Sequence, residues 1–333
     1  MDKIKACQLA DLVYYARWRP LSRLVTFAAP ASTLTNFPAL VKSNSTFHIG
    51  TSTGYDVHFQ DLAGNELYFD LDFYDSATGN GAWWVRIPTL SSAAPTSIRM
   101  LYGDSSASVN ASSPATVWAD YAYVYHFNDV NALASVVGSY TPTESNAGFC
   151  ARSIVSNALT GRGMRFWLTQ GYGSSYYSMS IGSGFNVTTG TISILASTDV
   201  FGWSDRKVEL NTGWKQYRFY MNGTTFTTEA GSAAMSMARA DANGFYCYGG
   251  STNASEIGWS VNGVIQDASS GTPGSIRWDA PAIQGTGYVG NPTEMIFDEI
   301  RISTTTYKPA AWLQYEQNQM INHASYTTYG SET

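Results

Sequence analysis

Charge is the first thing this chain has little of. Asp, Glu, Lys and Arg together make up 13 % of its 333 residues, and the net charge is −6. No cluster of Lys and Arg occurs anywhere, so a nucleic-acid backbone would find nothing to neutralise it. Cysteine is scarce and odd in number: Cys7, Cys150 and Cys247. Their wide spacing gives neither a disulfide framework nor a thiolate metal site. One bridge, Cys150–Cys247, can be drawn, but three free thiols fit better, as in a chain that folds in a reducing cytoplasm. The four histidines, His48, His58, His126 and His323, lack zinc-type spacing. HExxH, GxSxG and a phosphate-binding glycine loop are all missing, which removes the signatures of three large enzyme classes. No window approaches the ~20 apolar residues of a membrane-spanning helix. The first twenty residues, MDKIKACQLADLVYYARWRP, contain no unbroken apolar core of about 7–15 residues, so they do not read as an export signal.

What the chain does have is aromatic and small polar residues. Aromatics reach 14 %, with 22 tyrosines, and glycine, serine and threonine are abundant. Helical periodicity is nearly absent, and short alternating runs separated by turn residues predict an all-β protein. The length suffices for two β domains. Residues 1–16 read as an arm or short helix, and residues 17–117 as a first β-rich domain. In NELYFDLDFYD, Leu67, Phe69, Leu71 and Phe73 should share one face of a strand, and Glu66, Tyr68, Asp70 and Asp72 the other, solvated one. WWVRIP (83–88) and SIRMLYG (97–103) predict further strands. The small polar stretch Asp104–Val117 reads as a linker.

Residues 118–333 then form a second β region. It opens on WADYAYVYHFND, where Tyr121, Tyr123, Tyr125 and Phe127 should line one face of a strand. Two Asn-Gly pairs, Asn222-Gly223 and Asn262-Gly263, supply the positive φ angles of tight hairpin turns. AAWLQYEQNQMIN, residues 310–322, is the helical candidate near the end.

EMIFDEIRIS, residues 294–303, concentrates acids. As a strand it should place Asp298 and Glu299 on opposite faces. Glu294 and Asp298 would sit about 13 Å apart, too far for the ~5–9.5 Å of a hydrolytic carboxylate pair. Asp298 should therefore bond a neighbouring loop or a metal, and Glu299 should pair with Arg301. Asp70 and Asp72, about 6.6 Å apart along their strand, are the one pair at glycosidase-like separation. No partner nearby marks either as acid or nucleophile, so the expectation is a binding protein and not an enzyme.

GWSVNGVIQ, MIFDEIRIS followed by AAWLQYEQNQ, and the opening HFND resemble laminin-G-like, concanavalin A-like modules. LTNFPALVK, DVHFQDLAGNELYFDLDFYD, WWVRIPTLS and RMLYGD resemble a small uncharacterised domain family that often precedes such a module. The resemblance implies a jelly-roll β-sandwich at 118–333 with a β-rich domain before it, and glycan binding, sometimes with Ca²⁺. Residues 198–256 depart from the family's pattern, so no family binding residue carries over. Sugar recognition needs exposed aromatics with a few polar groups. Tyr172, Tyr176 and Tyr177 in QGYGSSYYS, Trp203 in DVFGWSDR and Trp214 in NTGWKQ are the candidates in turn-rich context. Asp199 and Asp205 flank Trp203 and offer oxygen ligands of the kind Ca²⁺ takes.

A surface β-protein without an export signal suggests a bacteriophage virion protein: a decoration, collar, whisker or fibre component. Its N-terminal region would hold other virion proteins, its second module would touch bacterial surface glycans, and many copies would supply avidity. The alternatives are a purely structural virion-stabilising protein and, further off, a glycan-degrading enzyme.

Overall fold

The computed structural model describes residues 21–333 apart from 131–132, 139, 141–142, 146–149, 157, 169–175, 181–184, 188, 200–205, 210–217, 223–224, 231–232, 239–244, 253–256, 268–275, 279–281 and 287–293; in parts of 143–295 it describes the backbone alone. The N-terminal arm expected at 1–16 lies outside the described residues.

The first region contributes β1 (Leu21–Phe27), β2 (Leu34–Ser43), β3 (His58–Gln60), β4 (Phe69–Asp75), β5 (Asn80–Leu90), β6 (Thr96–Tyr102) and the short helix α1 (Pro114–Val117). The second contributes β7 (Tyr123–Tyr125), β8 (Thr143–Ser145), β9 (Cys150–Val155), β10 (Gly163–Leu168), β11 (Tyr176–Ser180), β12 (Phe185–Val187), β13 (Gly190–Asp199), β14 (Arg206–Glu209), β15 (Arg218–Asn222), β16 (Thr225–Ala230), β17 (Ala233–Ala238), β18 (Phe245–Thr252), β19 (Ile257–Val261), β20 (Val264–Asp267), β21 (Ile276–Trp278), β22 (Ala282–Thr286) and β23 (Glu294–Ser303). The chain closes with α2 (Ala310–Ile321), α3 (His323–Tyr326) and β24 (Thr327–Tyr329). The protein is all-β, and every strand pair described is antiparallel.

The sheet order explains the burial. A four-stranded sheet, β24-β1-β6-β3, packs on a three-stranded one, β2-β5-β4. Val25, Phe27, Ile98, Met100 and Tyr102 meet Phe37, Val41, Phe69, Trp83 and Val85 between them. The opposite face of β2-β5-β4, carrying Leu40, Ala82 and Trp84, forms a second core with Leu195 of β13 and Cys247 of β18. Those two strands belong to an eight-stranded sheet, β20-β19-β18-β13-β23-β10-β9 with β7 alongside β23. The three-stranded sheet is thus buried on both faces, which is why WWV is apolar without alternation. A seven-stranded sheet, β17-β16-β15-β14-β22-β11-β8, and a β12-β21 pair complete the described strands.

Two local expectations change. In β4 the register slips between Leu71 and Phe73: Leu71 faces Trp83, and Phe73 faces Ala82. Asp72 is the extra residue of a β-bulge, which re-aims the side chains after it. Phe73 therefore joins the second core and not the face of Phe69 and Leu71. The second change is the stretch read as a linker, which is tied down: Ser112 Oγ accepts from Leu71 N (3.0 Å), and Val117 is buried.

The chain also returns across the boundary drawn at 117/118. Trp312 and Tyr315 of α2 sit in the first core and Met320 in the second. β24 pairs with β1, Val25 opposite Tyr329. Gln319 of α2 accepts a buried bond from Leu40 N (3.0 Å), and Gln317 accepts one from Gly263 N (2.8 Å). Gly263 closes the β19–β20 hairpin with Asn262, at φ 75° and 50°, the angles expected of an Asn-Gly turn. An added Cβ at Gly263 would fall 1.8 Å from Asn318 Nδ2, so α2 seats directly on that turn. Cys247 is a buried free thiol, so the Cys150–Cys247 bridge is not formed.

The helix is the wedge that joins the two cores. Trp312 is 4 % exposed and meets Phe37 edge-on, ring centroids 4.7 Å apart. Trp312→Ala is expected to cost about 3–5 kcal/mol through the cavity it leaves, read as a lowered guanidinium midpoint. A loss under about 1 kcal/mol would mean that α2 does not hold the layers together.

Candidate functional site

The residues able to do chemistry converge where β4 and β5 face β23. β23 carries its own bulge. Leu195 of β13 opposes Glu299, and the next residue, Ala196, opposes Phe297, so Asp298 is the extra residue. The slip puts Phe297 on the side of Ile300 and Ile302, and leaves Glu299 and Arg301 facing the three-stranded sheet. The strict alternation expected for Asp298 and Glu299 is broken by this bulge. Both carboxylates act on the same buried layer: the Glu299 charge pushes on Asp298, as does that of Asp72.

Four carboxylates and a histidine organise that layer. His126, just after β7, is 3 % exposed. Its Nε2–H donates to Asp70 Oδ2 (2.9 Å), and its Nδ1 meets Glu299 Oε1 (2.6 Å), with Asp72 Oδ2 at 3.8 Å. Asp70 also accepts from Trp118 Nε1 (2.6 Å) and Ser112 Oγ (3.1 Å). Asp72 accepts from Trp84 Nε1 (3.3 Å) and Asn128 Nδ2 (2.9 Å). Asp298 accepts from Thr160 N (2.8 Å) and from the Thr160 hydroxyl. Asp298 thus bonds a neighbouring loop, and Glu299 pairs with Arg301, as expected from the sequence.

Arg301 is the central cation. Its Nε donates to Glu299 Oε2 (3.2 Å) and its Nη1 to Glu316 Oε1 of α2 (2.7 Å). The guanidinium lies 3.9 Å from the Trp84 ring centroid and 4.6 Å from that of Trp118. Two indole faces replace the water that the ion loses on burial. Arg301 Nη2 and Glu316 Oε2 have no hydrogen-bond partner.

The electrostatics follow from burial. Desolvation pushes the Asp72 carboxyl up to about 7, against the nearby His126 charge and with a further push from Glu299. Desolvation also drives Asp298 well above the carboxylate range, reinforced by the Glu299 and Asp72 charges. Burial alone would lower the His126 pKa, but Glu299 and Asp72 outweigh it and raise it well above the usual value. Asp70 feels a similar desolvation, which its bonds to His126 and Trp118 overcome, holding it below its usual range. Lys42 of β2 is lowered by desolvation despite the Asp298 and Asp72 charges.

Asp70 and Asp72 are 3 % and 6 % exposed. The solvated face expected for them is corrected here: it is covered by the eight-stranded sheet. Asp72 and Glu299, far apart in sequence, bring carboxylate oxygens within 4.8 Å of each other. That approaches the ~5–5.5 Å of a retaining glycosidase pair. With both residues buried, however, no glycan can reach them. What the arrangement does is hold buried charge.

None of the candidates for sugar contact has a described side chain. Tyr172, Trp203, Trp214 and Asp205 lie outside the described residues; Tyr176 and Tyr177 lie in β11 and Asp199 ends β13, with the backbone alone described. His126, Trp84, Trp118 and Glu316 were missed as members of a cluster. Only the two acid-rich strands signalled it.

A family model described as a domain of unknown function, DUF2341, matches residues 53–138. That span contains Asp70, Asp72, Trp84, Trp118 and His126, and stops short of β23 and α2. No curated protein shows a significant match. Among solved structures, the receptor-binding domain of botulinum neurotoxin type G is similar at 7 % identity and a TM-score of 0.43, covering 60 % of this chain and 51 % of that one. The binding domain of botulinum neurotoxin DC in complex with SialylT is similar at 10 % and 0.44, covering 61 % and 51 %. The chain spans about half the length of these domains.

Two measurements check these buried charges, one in the layer and one at His323, beside Tyr329. Arg301→Met keeps the bulk and strands Glu299 and Glu316 without their cation, so a loss of about 3–5 kcal/mol is expected in denaturant unfolding. The second concerns His323, whose pKa is pushed down to about 3 by desolvation, with Lys42 adding to it. Between its unfolded value near 6.5 and about 3, the unfolded chain binds the proton and the folded one does not. Stability therefore falls as pH drops through that window, by at most about 1.4 kcal/mol per unit from this group. The Tm of His323→Gln should drop less than that of the parent between pH 7 and pH 5; equal slopes would remove His323 from the account.

Proposed function

We propose that this chain is a non-catalytic surface-binding protein of a bacteriophage virion, a decoration, collar, whisker or fibre component. In this reading a laminin-G-like, concanavalin A-like module makes weak contacts to bacterial surface glycans. The observation that carries the non-catalytic part is the burial of Asp70, Asp72, His126 and Glu299 behind two sheets. The acids that could have served hydrolysis are spent on cohesion. Weak single-site contacts suffice when many copies act together. The scarcity of basic residues speaks against nucleic acid as the partner. The first region, with the arm before it, would contact other virion proteins.

The test is binding of labelled protein, free and clustered on a multivalent carrier, to whole bacterial cells and to their extracted surface polysaccharide. Saturable binding, competed by free polysaccharide and weakened about tenfold by Trp203→Ala, is expected; tenfold corresponds to about 1.4 kcal/mol. Absence of binding even when clustered would leave a purely structural virion protein. Release of reducing ends from the polysaccharide, lost in Asp72→Asn, would replace the proposal with a hydrolase.

A further inference from the structure

We propose that Asp72, His126 and Glu299 form a structural site for a divalent transition-metal ion that fastens the three-stranded sheet to the eight-stranded one. The three residues come from separate places: the bulge of β4, the residue after β7, and β23 beside its own bulge. Each offers one ligand atom, and these atoms all lie within 4.8 Å of one another. Ligands of one ion lie about 2.0–2.2 Å from it, so small adjustments bring all three into range.

Histidine sets this apart from a mere gathering of acids. Its Nε2 donates to Asp70, so Nδ1 is the nitrogen that points at Glu299 and Asp72. Metal-bound histidines characteristically donate their other ring N–H to a carboxylate, which orients the ring and raises its basicity. Asp70 itself is held by Trp118 and Ser112, so the orienting residue is fixed in turn.

One imidazole and two carboxylates, with no thiolate, suit Zn²⁺ or Mn²⁺. All three residues are buried, as in closed structural sites, and ligands from distant parts of the chain make binding part of folding. Such an ion must enter as the sheets come together, and the Nδ1 proton leaves with solvent.

The experiment uses the full chain, unfolded in guanidinium with EDTA, freed of both, and refolded with Zn²⁺, Mn²⁺ or Co²⁺, or with none. About one ion per chain by mass spectrometry is expected, retained through hours of EDTA after folding, together with a higher unfolding midpoint and visible absorption from the Co²⁺ form. His126→Asn and Glu299→Gln should each reduce uptake at least tenfold. The parent chain decides alone if these variants fail to fold. Fewer than 0.1 ion per refolded chain overturns the site, as does an ion that EDTA strips within minutes. So does a ¹⁵N spectrum of the folded chain, refolded with Zn²⁺, in which both ring nitrogens of His126 carry protons.

Discussion

Everything in this fold is arranged around a single difficulty: several carboxylates sit between two sheets, away from water. An ion moved into a protein interior loses several kcal/mol of hydration even after relaxation. The chain meets that cost with one guanidinium held between Trp84 and Trp118, one imidazole between carboxylates, and indole N–H groups aimed at Asp70 and Asp72. Remove the stacked arginine and the acids on both sides of it lose their counter-charge. The two bulges belong to the same solution, since each adds an acidic residue where a regular strand would have skipped it.

The ionic layer also determines where the C-terminal helix must go. Glu316 reaches Arg301, while Trp312 and Tyr315 of the same helix fill the first core. α2 therefore touches both sheets, and β24 completes the edge of β1. The last strand of the chain pairs with the first one described, some three hundred residues away. Such pairings of high sequence separation form late, because loop closure must be met before the contacts reward it. The two β regions are thus bound into a common structure by the end of the chain, a stronger tie than a linker between modules would give.

Much of the fold was legible because it rests on local rules. The runs 83–88 and 97–103, the Asn262-Gly263 turn and the terminal helix all form where alternation, turn chemistry and helix propensity place them. The ionic layer was not legible, for two physical reasons. Alternation assumes an unbroken pleat, and a bulge at Asp72 or Asp298 reverses every face after it. The sequence DLDFYD carries no mark of that extra residue. Secondly, a polar residue on a strand reads as solvated until another sheet covers it, and the cover here comes from distant residues such as His126, Leu195, Cys247 and Glu299. α2 hid its role in the same way: Glu316, Gln317 and Gln319 look like a wet face, yet each is buried on a specific partner.

The approach of Asp72 to Glu299 shows why spacing alone is a poor guide to catalysis. Two carboxylates a few ångströms apart, one of them with its pKa near 7, match the outline of a hydrolytic pair. A general acid and a nucleophile must also meet a substrate, and here the oxygens face Arg301, His126, Trp84 and Asn128. Perturbed pKa values arise wherever charge is buried, and ion-pair networks perturb them as strongly as active sites do. Access decides between the two, and access is what the covering sheet removes. A cation that shares the interior with these acids, whether proton, guanidinium or metal ion, gains from the same exclusion of water that keeps a sugar out.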